Sequence, residues 1–155
     1  LFAYTFMTLG AFAFLVYAGK GGSDAETLED FSGLAKRRPW AALAMTVFMV
    51  SLAGLPPTAG FFGKFLLFKA AIAAGQVPLV VLGVATSAVS VYYYLRVVVH
   101  MYFKPAPEGQ GEAPEPLFNA GLVVFATAAF TLVLGLVPSR YLDLSYLSIA
   151  SLLGW

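Results

Sequence analysis

No cysteine occurs anywhere in the 155 residues. A disulfide, an iron–sulfur cluster and a thiolate metal site are therefore excluded for this chain. Histidine occurs once, too few for a metal cage built from this chain alone. Charge is scarce as well: 11% of residues are Asp, Glu, Lys or Arg, against roughly a quarter in an ordinary soluble domain. The net charge of +1 leaves no basic footprint for nucleic acid. The chain opens at Leu1 inside an apolar run, with no initiator Met and no basic signal-peptide region. It reads as the remainder of a helix whose start lies outside this sequence.

What is present is apolar surface. Hydrophobic residues make up 60% of the chain, and the few charges are clustered. They leave uncharged runs at Leu1–Gly19, Trp40–Gly63, Ala70–Leu95 and Leu117–Ser139. Each is about 19 to 26 residues long, and roughly 20 suffice to cross the hydrocarbon at about 1.5 Å per residue. The expected fold is all-α and integral to the membrane, with four transmembrane helices. They are placed at about 1–18, 39–74, 78–103 and 117–137. An amphipathic tail over 139–155, with serines 145, 148 and 151 and a terminal Trp155, suits the membrane surface. Within the polar connection at 20–39, a short surface helix over Asp24–Phe31, capped by Ser23 or Asp24, is expected. Basic residues Lys20, Lys36, Arg37 and Arg38, with Lys104 and Arg96 near the third helix end, place 20–39 and 104–116 in the cytoplasm by the positive-inside rule. The C-terminus then faces outward.

The second helix carries the chemistry. About 35 residues from Trp40 to Ala74 would make about 52 Å of straight helix, across hydrocarbon about 30 Å thick. Its middle reads Ser51-Leu52-Ala53-Gly54-Leu55-Pro56-Pro57-Thr58-Ala59-Gly60. Pro56 and Pro57 lack amide hydrogens and clash with carbonyls one turn back, while Gly54 and Gly60 permit non-helical backbone. A discontinuous helix broken near 54–59 is expected. Lipid cannot satisfy the freed backbone groups, so the break must face protein or a water-filled cavity, as at transporter ion pathways. A proline kink without transport function is the competing reading.

Lys64 separates the two readings. It lies near mid-membrane, where a lysine costs about 2.5–3.5 kcal/mol on insertion scales. Outside water a lysine trades its charged form for the neutral one more readily, and such a group can take up and release a proton. A purely structural lysine is the alternative. Lys69, nearer the helix end, reads as a snorkelling residue. In the third helix Ser87, Ser90 and Tyr94 share one face, and Thr86, Ser90 and Tyr93 a neighbouring one. Either set could line a water chain, and hydrogen bonds between packed helices explain them equally well. Arg96 and His100, one turn apart, could feed protons inward or anchor the helix at the interface. Thr5 and Thr8 read as packing residues, and Glu108, Glu112 and Glu115 as a solvated loop.

Four blocks resemble a known family. They are Tyr4-Thr5-Phe6-Met7-Thr8-Leu9-Gly10-Ala11-Phe12, Asp30-Phe31-Ser32-Gly33-Leu34, Ser51 through Phe65, and Ser90-Val91-Tyr92-Tyr93-Tyr94-Leu95-Arg96. Together they resemble the C-terminal part of the subunit N family of bacterial NADH–quinone oxidoreductases (respiratory complex I), members of the antiporter-like membrane subunits. The resemblance implies a fold of about fourteen transmembrane helices in two inverted repeats, of which this chain holds the last four. It implies a proton-translocating role, with the broken-helix lysine, here Lys64, on the proton path toward the outer side. NADH, FMN, iron–sulfur clusters and quinone would be bound by or near other subunits, with none in this chain. The partners would be other membrane subunits, including a neighbouring antiporter-like subunit, together with lipid; the transported species would be protons. The chain would sit in the bacterial inner membrane. A subunit of a multi-subunit cation/proton antiporter or membrane hydrogenase shares the same broken helix, and a non-transporting scaffold is the alternative of another class.

Overall fold

A computed structural model describes residues 2–19, 27–106 and 118–137. Among these, every regular element is helical. Helix α1 is Phe2–Ala18. A single 3₁₀ turn at Leu28–Phe31 and the one-turn helix α2, Leu34–Arg37, follow in the connection. Helix α3 is Pro39–Ala53, α4 is Ala59–Ala73, α5 is Val77–Phe103 and α6 is Phe118–Leu136. The amphipathic tail expected over 139–155, most of the loop at 104–116, and the expected caps Ser23 and Asp24 lie outside the described residues.

Proline and capping chemistry fix the element starts. Pro39 opens α3 and Pro78 sits in the first turn of α5, where a missing amide hydrogen costs nothing. The 3₁₀ turn is capped by Thr27, whose amide and hydroxyl both donate to Asp30 Oδ2, at 2.9 and 2.8 Å. The connection is less of a surface element than its polarity suggests. Phe31 and Leu34 are buried, with Phe31 stacked on Phe14 at 6.1 Å between centroids.

The broken pair α3–α4 lies between its neighbours: α1 and α6 pack on one another and on α3, and α5 packs against α3 and α4. Helices α1 and α6 run antiparallel, since Phe6 meets Phe130 while Tyr17 meets Phe125. Close approach depends on Gly10. A Cβ there would collide with the Phe48 ring of α3 and the Thr127 hydroxyl of α6, so the small residue lets three helices meet, a device membrane bundles use in place of hydrophobic drive. The core around it holds Phe14, Met45, Phe48, Met49, Met101 and Val124. One end of the bundle is tied by the connection. Gly33 donates its amide to the His100 carbonyl at 3.2 Å, and the Arg38 guanidinium lies 5.6 Å from the Tyr17 ring centre.

Two described helices are long and apolar enough to cross a membrane, Val77–Phe103 and Asn119–Leu136 within α6. Phe2–Ala18 and Pro39–Ala53 are apolar but shorter. The 15 residues of α3 and the 15 of α4 each make about 22 Å, less than the hydrocarbon thickness of about 30 Å. Neither half crosses alone.

Candidate functional site

The break between Ala53 and Ala59 leaves two helix ends facing one another. Four carbonyls at the end of α3 and four amides at the start of α4 lose their helical partners. The α3 carbonyls are accounted for completely. Gly54 adopts a left-handed backbone, φ 80°, which only glycine takes up freely. That turn sends the Gly54 amide to the carbonyls of Val50 and Ser51, and the Leu55 amide to Val50, the usual way a glycine closes a helix. The two remaining carbonyls, of Leu52 and Ala53, are taken by one side chain. Lys64 Nζ donates to them at 3.4 and 3.2 Å.

Lys64 reaches back because of how α4 begins. Thr58 caps α4, accepting from the Phe61 amide at 3.4 Å and donating its hydroxyl to the Leu55 carbonyl at 2.6 Å. Pro56 and Pro57, joined by a cis peptide bond, occupy the link between the half-helices. Gly60 then passes so close to α3 that a Cβ there would run into the Ser51 carbonyl. Its amide donates to Ser51 Oγ at 3.3 Å, and Ser51 Oγ donates in turn to Met7 Sδ of α1 at 2.7 Å. Lys64 sits one turn beyond Gly60, which directs its side chain along the underside of Gly54. The ammonium thus rests at the negative end of a half-helix, where the macrodipole favours a cation.

A cavity of ≈ 410 Å³ opens beside this point. Its lining includes Lys64, Gly60 and Gly63 of α4, Ser51 and Leu52 of α3, Tyr4 and Met7 of α1, and Thr86, Ser87, Ser90 and Tyr94 of α5. A second cavity of ≈ 280 Å³ lies on the other side of the break, against α6, and is lined mainly by apolar groups. Ser51 borders both.

The structure therefore gathers Gly54, Gly60, Lys64, Ser87, Ser90 and Tyr94 in one place, with Pro56 and Pro57 forming the link between the half-helices. Arg96 and His100 are not among the residues bordering this cavity. Arg96 is exposed; His100 is buried at the tied end of the bundle, and its Nδ1 has no partner among the described residues. Tyr93, grouped by spacing with Thr86 and Ser90, points away and is 62% exposed. The Thr86 and Ser90 hydroxyls bond back to carbonyls of their own helix, leaving their oxygens able to accept. Tyr4, Met7, Ser51 and Thr58 join the site without having been singled out by sequence. A hydroxyl one turn before a proline pair was the available signal for Ser51. Among the described residues no group of three or more His, Asp or Glu side chains gathers to hold a metal ion. The segments 2–18, 39–103 and 118–136 contain no Asp or Glu, so no carboxylate of these helices faces the Lys64 ammonium.

Known proteins share this arrangement of sequence. NADH-quinone oxidoreductase subunit N of Trichlorobacter lovleyi is 51% identical over 147 residues, covering 92% of this chain and 29% of that protein. Subunit N of Myxococcus xanthus is 46% identical, covering 89% of this chain and 27% of that protein. Among solved structures, a chain of respiratory complex I from Thermus thermophilus with bound aureothin superposes with a TM-score of 0.75 at 40% identity, over 88% of this chain and 30% of that one. The chain thus spans less than a third of the length of these relatives. The model of the family described as NADH:quinone oxidoreductase/Mrp antiporter, TM, matches residues 1–90, more than half of the sequence, and the chain belongs to that family.

Proposed function

We propose that this chain is part of a proton-translocating membrane subunit of an NADH–quinone oxidoreductase, and that Lys64 is its proton relay. The observation that carries the reading is the placement of the Lys64 ammonium. It sits at the break of a membrane helix, on two backbone carbonyls, beside a cavity bordered by hydroxyl groups. A cation inside a membrane bundle pairs with a carboxylate or with backbone carbonyls. Carbonyl dipoles hold an ammonium without one, so release of the proton leaves no uncompensated negative charge behind. A relay requires that reversibility.

On this reading four spans cross the membrane, α3 and α4 together making one of them, as the last four of about fourteen in an inverted-repeat fold. The cavity holds water, and Ser87, Ser90 and Tyr94 order it against Lys64. Segments 20–39 and 104–116 face the cytoplasm, the C-terminus faces outward, and the membrane is the bacterial inner membrane. NADH, FMN, the iron–sulfur clusters and quinone are bound by or near other subunits; this chain supplies no redox centre. Its partners are other membrane subunits, including a neighbouring antiporter-like one, and lipid. The names of the relatives and of the structural neighbour favour this over an antiporter or hydrogenase subunit. The deciding experiment is the Lys64→Met change in the full complex reconstituted in vesicles. Proton pumping, and the electron transfer coupled to it, should fall while the complex still assembles. Unchanged pumping would leave the scaffold reading standing. Purification of the assembly with flavin and iron–sulfur subunits separates a redox complex from an antiporter.

A further inference from the structure

Gly54 has a second role beyond its backbone turn. A Cβ built on it would lie 3.0 Å from Lys64 Cδ and 3.3 Å from Nζ. The lysine therefore lies along the bare backbone of Gly54, with its ammonium on the Leu52 and Ala53 carbonyls beyond. Those carbonyls are the two that the glycine turn leaves over, and among the described residues the lysine is what takes them. The place is shaped for a slim chain ending in N–H donors, at a helix end whose dipole attracts a cation, and the adjoining cavity of ≈ 410 Å³ connects it to space large enough for a small molecule.

We propose that the end of α3 is a built dock for a primary ammonium group, its floor kept bare by Gly54, and that Lys64 relays protons by leaving and re-entering this dock. The second half rests on the functional reading above; the first half does not. Protonated, Lys64 docks on the carbonyls. Neutral, it keeps two N–H groups but loses the charge that holds it on the carbonyls and at the helix end, and it gains a lone pair that the hydroxyl groups of Ser87 and Tyr94 across the cavity, or water among them, can meet as donors. The dock thus ties the charge of the lysine to the direction in which it points.

Shortening the lysine should leave the dock vacant for a free ligand. Lys64→Ala removes three carbons and the ammonium, the equivalent of propylammonium. The full complex carrying Lys64→Ala is held in detergent, where no proton gradient exists for a weak base to collapse. Propylammonium chloride is compared at equal ionic strength with tetramethylammonium chloride, which carries the same charge and no N–H. Two readouts are taken: the midpoint of thermal inactivation and NADH-to-quinone turnover. Propylammonium should raise the midpoint saturably and restore turnover about tenfold more effectively than tetramethylammonium, the difference expected of charge-assisted hydrogen bonds. Neither salt should do so for the wild type. Adding Gly54→Asn, which tolerates left-handed backbone but carries a Cβ, should abolish both effects. Lys64→Ser leaves nearly the same space and replaces Ala if that variant assembles poorly. Equal effects of the two salts, or no midpoint shift with propylammonium, would overturn the dock. A midpoint shift without recovery of turnover would uphold the dock and overturn the relay, which keeps the two claims apart.

Discussion

Gly60 and Gly63 lie on the same turns of α4 but meet opposite surroundings, and replacing each by alanine isolates the contact that sets the break. At Gly63 a Cβ meets nothing within 4 Å. Alanine there gains helix propensity of about 0.5–1 kcal/mol and should be neutral to mildly stabilising. At Gly60 the same Cβ would overlap the Ser51 carbonyl oxygen and lie 2.8 Å from its carbon. Carbon atoms pack at about 3.5–4.0 Å, so α4 must retreat from α3 by about 1 Å. The obstacle is backbone on a buried turn, and Ser51 is fully buried, so it cannot swing aside. Overpacking of this kind costs about 1–3 kcal/mol, and loss of the Gly60 amide bond to Ser51 Oγ adds about 1 kcal/mol. After the propensity gain is subtracted, Gly60→Ala should destabilise by about 1–3 kcal/mol. Retreat of α4 also carries Lys64 away from carbonyls it now reaches at 3.2 and 3.4 Å. The assay is the yield of assembled complex and its thermal-inactivation midpoint, followed by coupled turnover. Gly60→Ala should fall below the wild type on all three, with Gly63→Ala at or above it. Equal behaviour of the two variants would refute the close approach of the half-helices and the lysine placement that depends on it.

Other outcomes follow from the same geometry. Replacing Pro56 and Pro57 by Ala or Leu should allow the half-helices to join, with proton transport reduced and assembly retained; a structure of that variant with the gap unchanged would assign the break to the neighbouring helices instead. Cysteines introduced singly at Glu29 and Gln76, both exposed, should label from opposite faces of sealed vesicles; Ser32, in the same connection, is only 5% exposed and would label poorly. Labelling of both from one side would contradict the proposed topology. Ser51→Ala removes the hydroxyl that joins Gly60 to Met7 and should cost about 1–2 kcal/mol of stability, read as a lower inactivation midpoint; an unchanged midpoint would contradict the bridging role of that hydroxyl.

The break was legible because its causes are local. Proline and glycine act on their own backbone, and Gly54, Pro56 and Pro57 stop α3 where their chemistry alone requires. Lys64 was legible because a lone charge in an apolar run has few explanations. The Ser87, Ser90 and Tyr94 face was legible as helical spacing. The same spacing sets Arg96 and His100 apart from that face. Continuing 87, 90 and 94 by a helical step leads to Val97 and Met101, which pack in the core, whereas His100 meets the connection through its carbonyl, which accepts from the Gly33 amide. Contributions from other helices left no local trace. Tyr4 and Met7 reach the cavity only because Gly10 lets α1 settle on α3, a contact no single segment reveals. The buried packing of Phe31 and Leu34 was hidden for the same reason, since a polar connection conceals two apolar residues whose partners lie on α1 and α5.

The central claim, that Lys64 moves protons rather than holding a fixed charge, is tested most directly by Lys64→Arg in the full complex reconstituted into vesicles, with proton uptake measured per NADH oxidised. A guanidinium can reach the Leu52 and Ala53 carbonyls and keep α3 capped, but it stays protonated throughout the accessible pH range. The account predicts an assembled complex whose pumping falls well below wild type, together with the electron transfer coupled to it. Wild-type pumping in the Arg variant would show that Lys64 is a structural cap and contradict the account.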